Sequence, residues 1–111
     1  MPGFPRHERL LKRSDFLRIS RQGNKVQTAD FIILWTESSH HVVRIGITVS
    51  GKVGNAVTRN RLKRFIRECY RQNKDLFAPA DYSIIARQGA ARLGFSEVCR
   101  ELGRALQRLQ K

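Results

Sequence analysis

Residues 51–69 read GKVGNAVTRNRLKRFIREC. Leu62, Phe65, Ile66 and Cys69 stand at i, i+3, i+4 and i+7, the spacing of a core-facing stripe on an α-helix. At about 100° per residue, Asn60, Lys63, Arg64, Arg67 and Arg71 fall on the opposite side, and Arg59 and Arg61 flank it near the N-terminal end. The spacing predicts a helix from about Ala56 to Asn73 with Asn55 as N-cap. Seven cations lie between Arg59 and Lys74, five Arg and two Lys, with Glu68 the one anion on the helix. Like charges this close repel one another, and a bound polyanion would remove that repulsion.

Working outward, Val42–Val49 (VVRIGITV) alternates Val43, Ile45, Ile47 and Val49 with Arg44, Gly46 and Thr48, which predicts a strand with one buried and one open face. Val26–Thr36, rich in β-branched and aromatic residues, reads as a preceding strand, and the polar turn ESSHH between them predicts a β-hairpin. Ser14 and Gly23 bracket a short first helix as N-cap and C-terminal stop. Downstream, Pro79 ends the basic region and Tyr82–Ala86 reads as a third strand. Ser96 opens a last helix with Phe95, Val98, Cys99, Leu102, Leu106 and Leu109 along one side. The order α, β, β, α, β, α predicts an α+β sandwich, a small open sheet packed with helices. The link from the second strand through the basic helix to the third reads as a βαβ crossover, right-handed by the general rule.

A chain of 111 residues is one domain, residues 1–111, able to bury roughly two-thirds of its unfolded surface. Its net charge of +13 is concentrated: residues 1–25 hold seven Lys/Arg against Glu8 and Asp15, and residues 51–74 hold eight against Glu68. That segregation points to a polyanionic partner rather than to solubility alone. Arginine forks grip phosphate with two bonds and stack on bases, which suits a folded RNA. The helix N-terminus near Gly54 and Asn55 adds free N–H groups. A membrane-surface helix would need its apolar face free, whereas the strands need that face for their core. No apolar run approaches the ~20 residues of a membrane span, so the expectation is a soluble, cytoplasmic protein. Cys69 and Cys99 have no CxxC partner and read as reduced core thiols. His7, His40 and His41 and the scattered carboxylates form no metal or acid–base constellation, so no catalytic residue and no protein-held metal is expected.

The run Lys52–Arg67, with Arg59-Asn60-Arg61 at its centre, closely resembles the signature of the bacterial ribonuclease P protein subunit. The likeness extends to Phe4-Pro5-Arg6, Ser14-Asp15-Phe16, Arg44–Ser50, Asp81-Tyr82 and Ile84–Arg87, nearly the whole chain. The resemblance implies a fold like a domain of certain ribosomal proteins and translation factors, with a left-handed βαβ crossover. It also implies a holoenzyme in which a catalytic RNA and Mg²⁺ bound by that RNA remove the 5′ leader of precursor tRNA, with the protein a monomer in a 1:1 ribonucleoprotein.

Carried over, the motif assigns Asn55, Arg59, Asn60, Arg61, Lys63, Arg64 and Arg67 to the catalytic RNA. It assigns Phe16, Ile32, Leu34, Lys52 and Arg87 to a cleft for the single-stranded leader, where an aromatic beside cations is a platform for unpaired bases. Two positions depart from the pattern: Ser20 where a second aromatic is common, and Gly51 where a lysine is. The rival readings are a ribosomal or generic RNA-binding protein of similar fold, and a protein-only endonuclease.

Overall fold

The computed structural model describes residues 12–37 and 42–109. The motif Phe4-Pro5-Arg6, the three histidines and most of the expected ESSHH turn lie outside the described residues. The elements are α1 (Arg13–Gln22), β1 (Asn24–Gln27), β2 (Phe31–Glu37), β3 (Arg44–Thr48), α2 (Ala56–Gln72), β4 (Ala80–Ala86) and α3 (Phe95–Leu109), with 3₁₀ turns at Lys74–Leu76 and Gln88–Arg92.

The expected hairpin between the first two predicted strands does not form. The sheet order is β1-β2-β4-β3, with β2 antiparallel and β3 parallel to β4. β4 is buried along almost its whole length, as a strand with neighbours on both sides must be, and it takes the place between β2 and β3. The hairpin instead lies inside the run read as one strand. Thr28 N–H donates to Phe31 O at 2.8 Å and the Thr28 hydroxyl accepts from Phe31 N–H at 3.0 Å, folding β1 back on β2. The parallel β3–α2–β4 crossover is present as expected.

Cross-strand partners sort the sheet into two faces. Ile33, Ile84 and Ile47 form one row and Trp35, Tyr82 and Ile45 the next. This face meets Leu62, Ile66 and Tyr70 of α2 and Val98, Leu102, Ala105 and Leu106 of α3 in the main core. Asn55 caps α2 as predicted, its side chain accepting from Thr58 N–H at 2.9 Å. Gly94 precedes α3, and its N–H donates to the Glu97 carboxylate at 3.0 Å.

The other face, with Ile32, Leu34, Ser83, Ile85 and Thr48, looks toward α1, whose Ile19 is fully buried yet outside the main core. The cap of α1 differs from expectation: Lys12 holds the N-cap position without a side-chain bond, and Ser14 lies exposed within the helix. At the other end Gly23 does stop α1, through its N–H to Ile19 O at 2.8 Å.

The cysteines correct another expectation. Cys69 on α2 and Cys99 on α3 are joined as a disulfide, with Cα atoms 5.5 Å apart. Both lie on faces that pack helix against helix. A separation of 30 residues in sequence carries no sign of that adjacency.

Candidate nucleic-acid interface

Packing of the Leu62–Ile66–Cys69 stripe against the sheet and α3 turns the opposite side of α2 outward. Asn60, Arg64 and Arg67 are exposed, whereas Arg59, Arg61 and Lys63 are half-buried. Arg64 and Arg67 have no ion-pair or hydrogen-bond partner among the described residues, so their guanidiniums are free for an external anion. The C-terminal half of the helix differs. Arg71 Nε donates to both Glu68 oxygens at 2.9 and 3.1 Å, and Gln72 donates to the same carboxylate at 3.0 Å. The hydrogen bond from Arg71 holds the Glu68 carboxyl below its usual range. Lys74 lies over the Tyr70 ring at 5.4 Å. Along α2 the cations without a carboxylate partner among the described residues therefore lie in its first three turns, Arg59–Arg67.

Two assigned residues are partly occupied by the protein itself. The Asn55 carbonyl oxygen is used in the cap, leaving its amide N–H₂ for a partner. Arg61 Nη2 donates to the Ala91 carbonyl at 2.7 Å. The Nε groups of Arg59 and Arg61 are buried, so these side chains can meet a phosphate through their Nη ends.

The second set of residues lies on the sheet face toward α1. Register places Ile32 beside Ile85 and Ile85 beside Thr48, and Leu34 beside Ser83. Burial is graded along β4: Asp81 and Ser83 are buried, Ile85 half-buried, and Thr48 alongside it exposed. α1 covers the Asp81 end, where Arg44 and Arg18 both reach the Asp81 carboxylate. The Ile32–Ile85–Thr48 end is left as a shallow apolar step. Phe16 is half-buried on α1, and Lys52 and Arg87 are exposed beyond the C-terminal ends of the parallel strands β3 and β4, at the Ile85–Thr48 end of the sheet. Arg87 is held by its N–H to Asp30 O at 2.8 Å and by Nη1 to Thr28 O at 3.3 Å. Ile85 and Thr48 were not singled out from the sequence. The alternation in β3 had marked Thr48 as outward, but in β4 Ile84 and Ile85 stand side by side, and nothing in the sequence tells the surface one from the core one.

Chemically, this is a surface of fixed donors and apolar shelves rather than a catalytic centre. The carboxylates of Asp15, Asp30, Asp81, Glu68, Glu97 and Glu101 each take internal hydrogen bonds. Among the described residues no group of three or more His, Cys, Asp or Glu side chains offers a donor set for a metal ion. A model of the family described as Ribonuclease P matches residues 4–110.

The chain belongs to the ribonuclease P protein family.

A ribonuclease P protein component of Geotalea uraniireducens is 52% identical over 108 residues, covering 97% of this chain and 96% of the relative. The solved ribonuclease P protein of Staphylococcus aureus superposes with a TM-score of 0.87 at 34% identity, covering 93% of this chain and 95% of that one. That of Thermotoga maritima gives 0.83 at 36% identity, covering 91% and 96%. The chain is accordingly the non-catalytic, RNA-binding subunit of the ribonuclease P ribonucleoprotein, which binds the catalytic RNA and the leader of precursor tRNA. The rival reading of a protein-only endonuclease is set aside with it.

Proposed function

We propose that the two surfaces divide the work of this subunit. The first three turns of α2 dock on the catalytic RNA, with Asn60, Arg64 and Arg67 as freely exposed contacts. Arg59, Arg61 and Lys63 contribute from half-buried positions, and Asn55 through its amide. The leader lies over the Ile32–Ile85–Thr48 step, between Phe16 and Leu34 on one side and the cations Lys52 and Arg87 at its mouth. The observation that carries the reading is the segregation on α2: an apolar stripe used by the core, and opposite it the exposed guanidiniums of Arg64 and Arg67, which have no partner among the described residues, with further cations beside them. Cations held at fixed spacing neutralise phosphates of a folded RNA and release its counterions. Mg²⁺ belongs to the RNA in this reading, and the protein lowers the concentration required by screening phosphate repulsion. The setting is cytoplasmic, one protein per catalytic RNA.

Reconstitution tests it. Purified protein, a bacterial ribonuclease P RNA and precursor tRNA are mixed at low Mg²⁺. Cleavage that needs both protein and RNA supports the proposal, and RNA cleavage unaffected by the protein sinks it.

A further inference from the structure

Arg61 sits in the same motif as Arg64 and Arg67, but its surroundings are different. It is half-buried, its Nη2 donates to Ala91 O at 2.7 Å, and its guanidinium carbon lies 5.9 Å from the centre of the Phe65 ring. Phe65 in turn meets Phe95 at the start of α3 edge-to-face, with ring centres 5.8 Å apart. One side chain thus ties α2 to the 3₁₀ turn Gln88–Arg92 and stands over an aromatic pair that joins α2 to α3.

The tethered turn is short and internally bonded. Ala90 N–H donates to Arg87 O and Leu93 N–H to Ala90 O, both at 3.0 Å. Its first flanking residue is Arg87, already fixed to the β1–β2 turn through Asp30 O and Thr28 O. A connected path therefore runs from the basic face of α2, through Ala91, to the cation at the mouth of the leader groove. Guanidinium suits this position because it has five donors in one plane. Nη2 can hold a carbonyl and the plane can rest on a ring while other N–H groups remain for a phosphate. An ammonium can supply the charge but not the fork.

We propose that Arg61 is a positioning residue. It clamps the Gln88–Arg92 turn against α2 and so fixes Arg87, on the leader side, relative to the surface that docks on the catalytic RNA. The clamp makes the two binding surfaces one rigid body, so that a leader is met in register with the RNA that cuts it. Its functional half rests on the assignment of those surfaces proposed above.

The test uses the full chain with Arg61→Ala, the milder Arg61→Lys, and Arg64→Ala as a contrast on the same helix. In the free protein, hydrogen exchange at the Ala90 and Leu93 amides should quicken about tenfold in Arg61→Ala while exchange at Ile84 in the central strand stays slow. Arg61→Lys should show an intermediate increase and Arg64→Ala none. In holoenzyme saturated with protein, the second readout is the ratio of kcat/KM for precursor tRNA with a long leader to that with a very short one. Arg61→Ala and Arg61→Lys should lower that ratio several-fold, mainly through KM for the long-leader substrate, and Arg64→Ala should not. Unchanged exchange at Ala90 and Leu93 in Arg61→Ala overturns the clamp. Faster exchange with an undiminished leader ratio overturns its role in positioning. A wild-type holoenzyme indifferent to leader length overturns the surface assignment beneath it, a failure separable from the others because the exchange measurement involves no RNA.

Discussion

Asp81 of β4 is fully buried and receives Arg44 of β3 through two parallel hydrogen bonds, Nε to Oδ1 at 2.9 Å and Nη2 to Oδ2 at 2.8 Å. Arg18 reaches the same carboxylate from α1, and Arg44 also touches Asp15 of α1 at 3.2 Å. Four charges thus fasten α1 across one end of the sheet face and leave the other end open. Asp81→Ala would strand two guanidiniums with one partial partner in Asp15. Loss of a buried partner typically costs about 3–5 kcal/mol. Urea unfolding should show a loss near the lower figure, because Arg18 is a third exposed, with weaker leader binding by the folded fraction.

Asp81 and Asp30 pull acid stability in opposite directions. Burial pushes the Asp81 carboxyl up, but the hydrogen bonds and charges of Arg44 and Arg18 outweigh it and leave it below the ordinary value of 3.8. Its contribution is therefore present above that value and is lost as pH falls from there through the folded-state value. Asp30 is pushed up, first by burial and then by hydrogen bonding with and repulsion from Glu101, against the pull of Arg92 and Arg87. The unfolded chain then ionises first as pH rises past 3.8, so Asp30 costs stability above it. Urea midpoints from about pH 3 to about pH 7 should show the deficit of Asp81→Asn shrinking toward acid. The difference between Asp30→Asn and wild type should shift in the variant's favour toward neutral pH.

Gly23 is required by crowding rather than by an unusual backbone angle, since its φ is −77°. A Cβ placed there would lie 2.3 Å from Ile19 O and 2.8 Å from Trp35 O, both main-chain atoms that cannot rotate away. Gly23→Ala should cost about 2–3 kcal/mol, in the range of forced overpacking, whereas Gly51→Ala meets open space and should be near neutral. Thermal melts of the two variants give the comparison.

The disulfide between Cys69 and Cys99 closes a loop of about 30 residues and ties the basic helix α2 to α3. Such a loop restricts the unfolded chain enough to contribute about 3.5 kcal/mol. Unfolding with and without a thiol reductant should differ by that amount, and Cys99→Ala should be insensitive to reductant.

The sequence made α2 legible because its period, cap and charge all agree: Asn55 caps as its residue type predicts, and, as the spacing predicts, Leu62, Ile66 and Cys69 are buried and Arg64 and Arg67 are exposed. Strand pairing was not legible, since Tyr82–Ala86 carries no mark of being central, and the two-residue turn at Ala29-Asp30 contains no glycine to punctuate it. Long-range partners were hidden for the same reason. Asp81 and Arg18 are 63 residues apart, and Arg61 and Ala91 are 30 apart. The sheet face toward α1 was half visible: alternation exposed Thr48, but Ile85 became part of the surface only once β4 was placed between Ile32 and Thr48.

Charge placement gives the last prediction. Arg64 and Arg67 lie on the exposed face of α2, whereas Arg100 and Arg104 are also exposed, on α3 beside Glu97, Glu101 and Asp30, in a hollow of about 140 Å³ where three carboxylates offset the arginines. Removing either pair lowers net charge by the same two units, so a binding mode governed by total charge would respond equally. Each phosphate left without its cation should lower the slope of log K against log salt by about 0.7–0.9. Arg64→Ala with Arg67→Ala should therefore weaken binding to the catalytic RNA and reduce the slope by roughly 1.5. Arg100→Ala with Arg104→Ala should leave the slope nearly as it was. Binding titrations across a salt series measure both, and equal slope changes for the two pairs would show that no particular face of the protein is presented to the RNA.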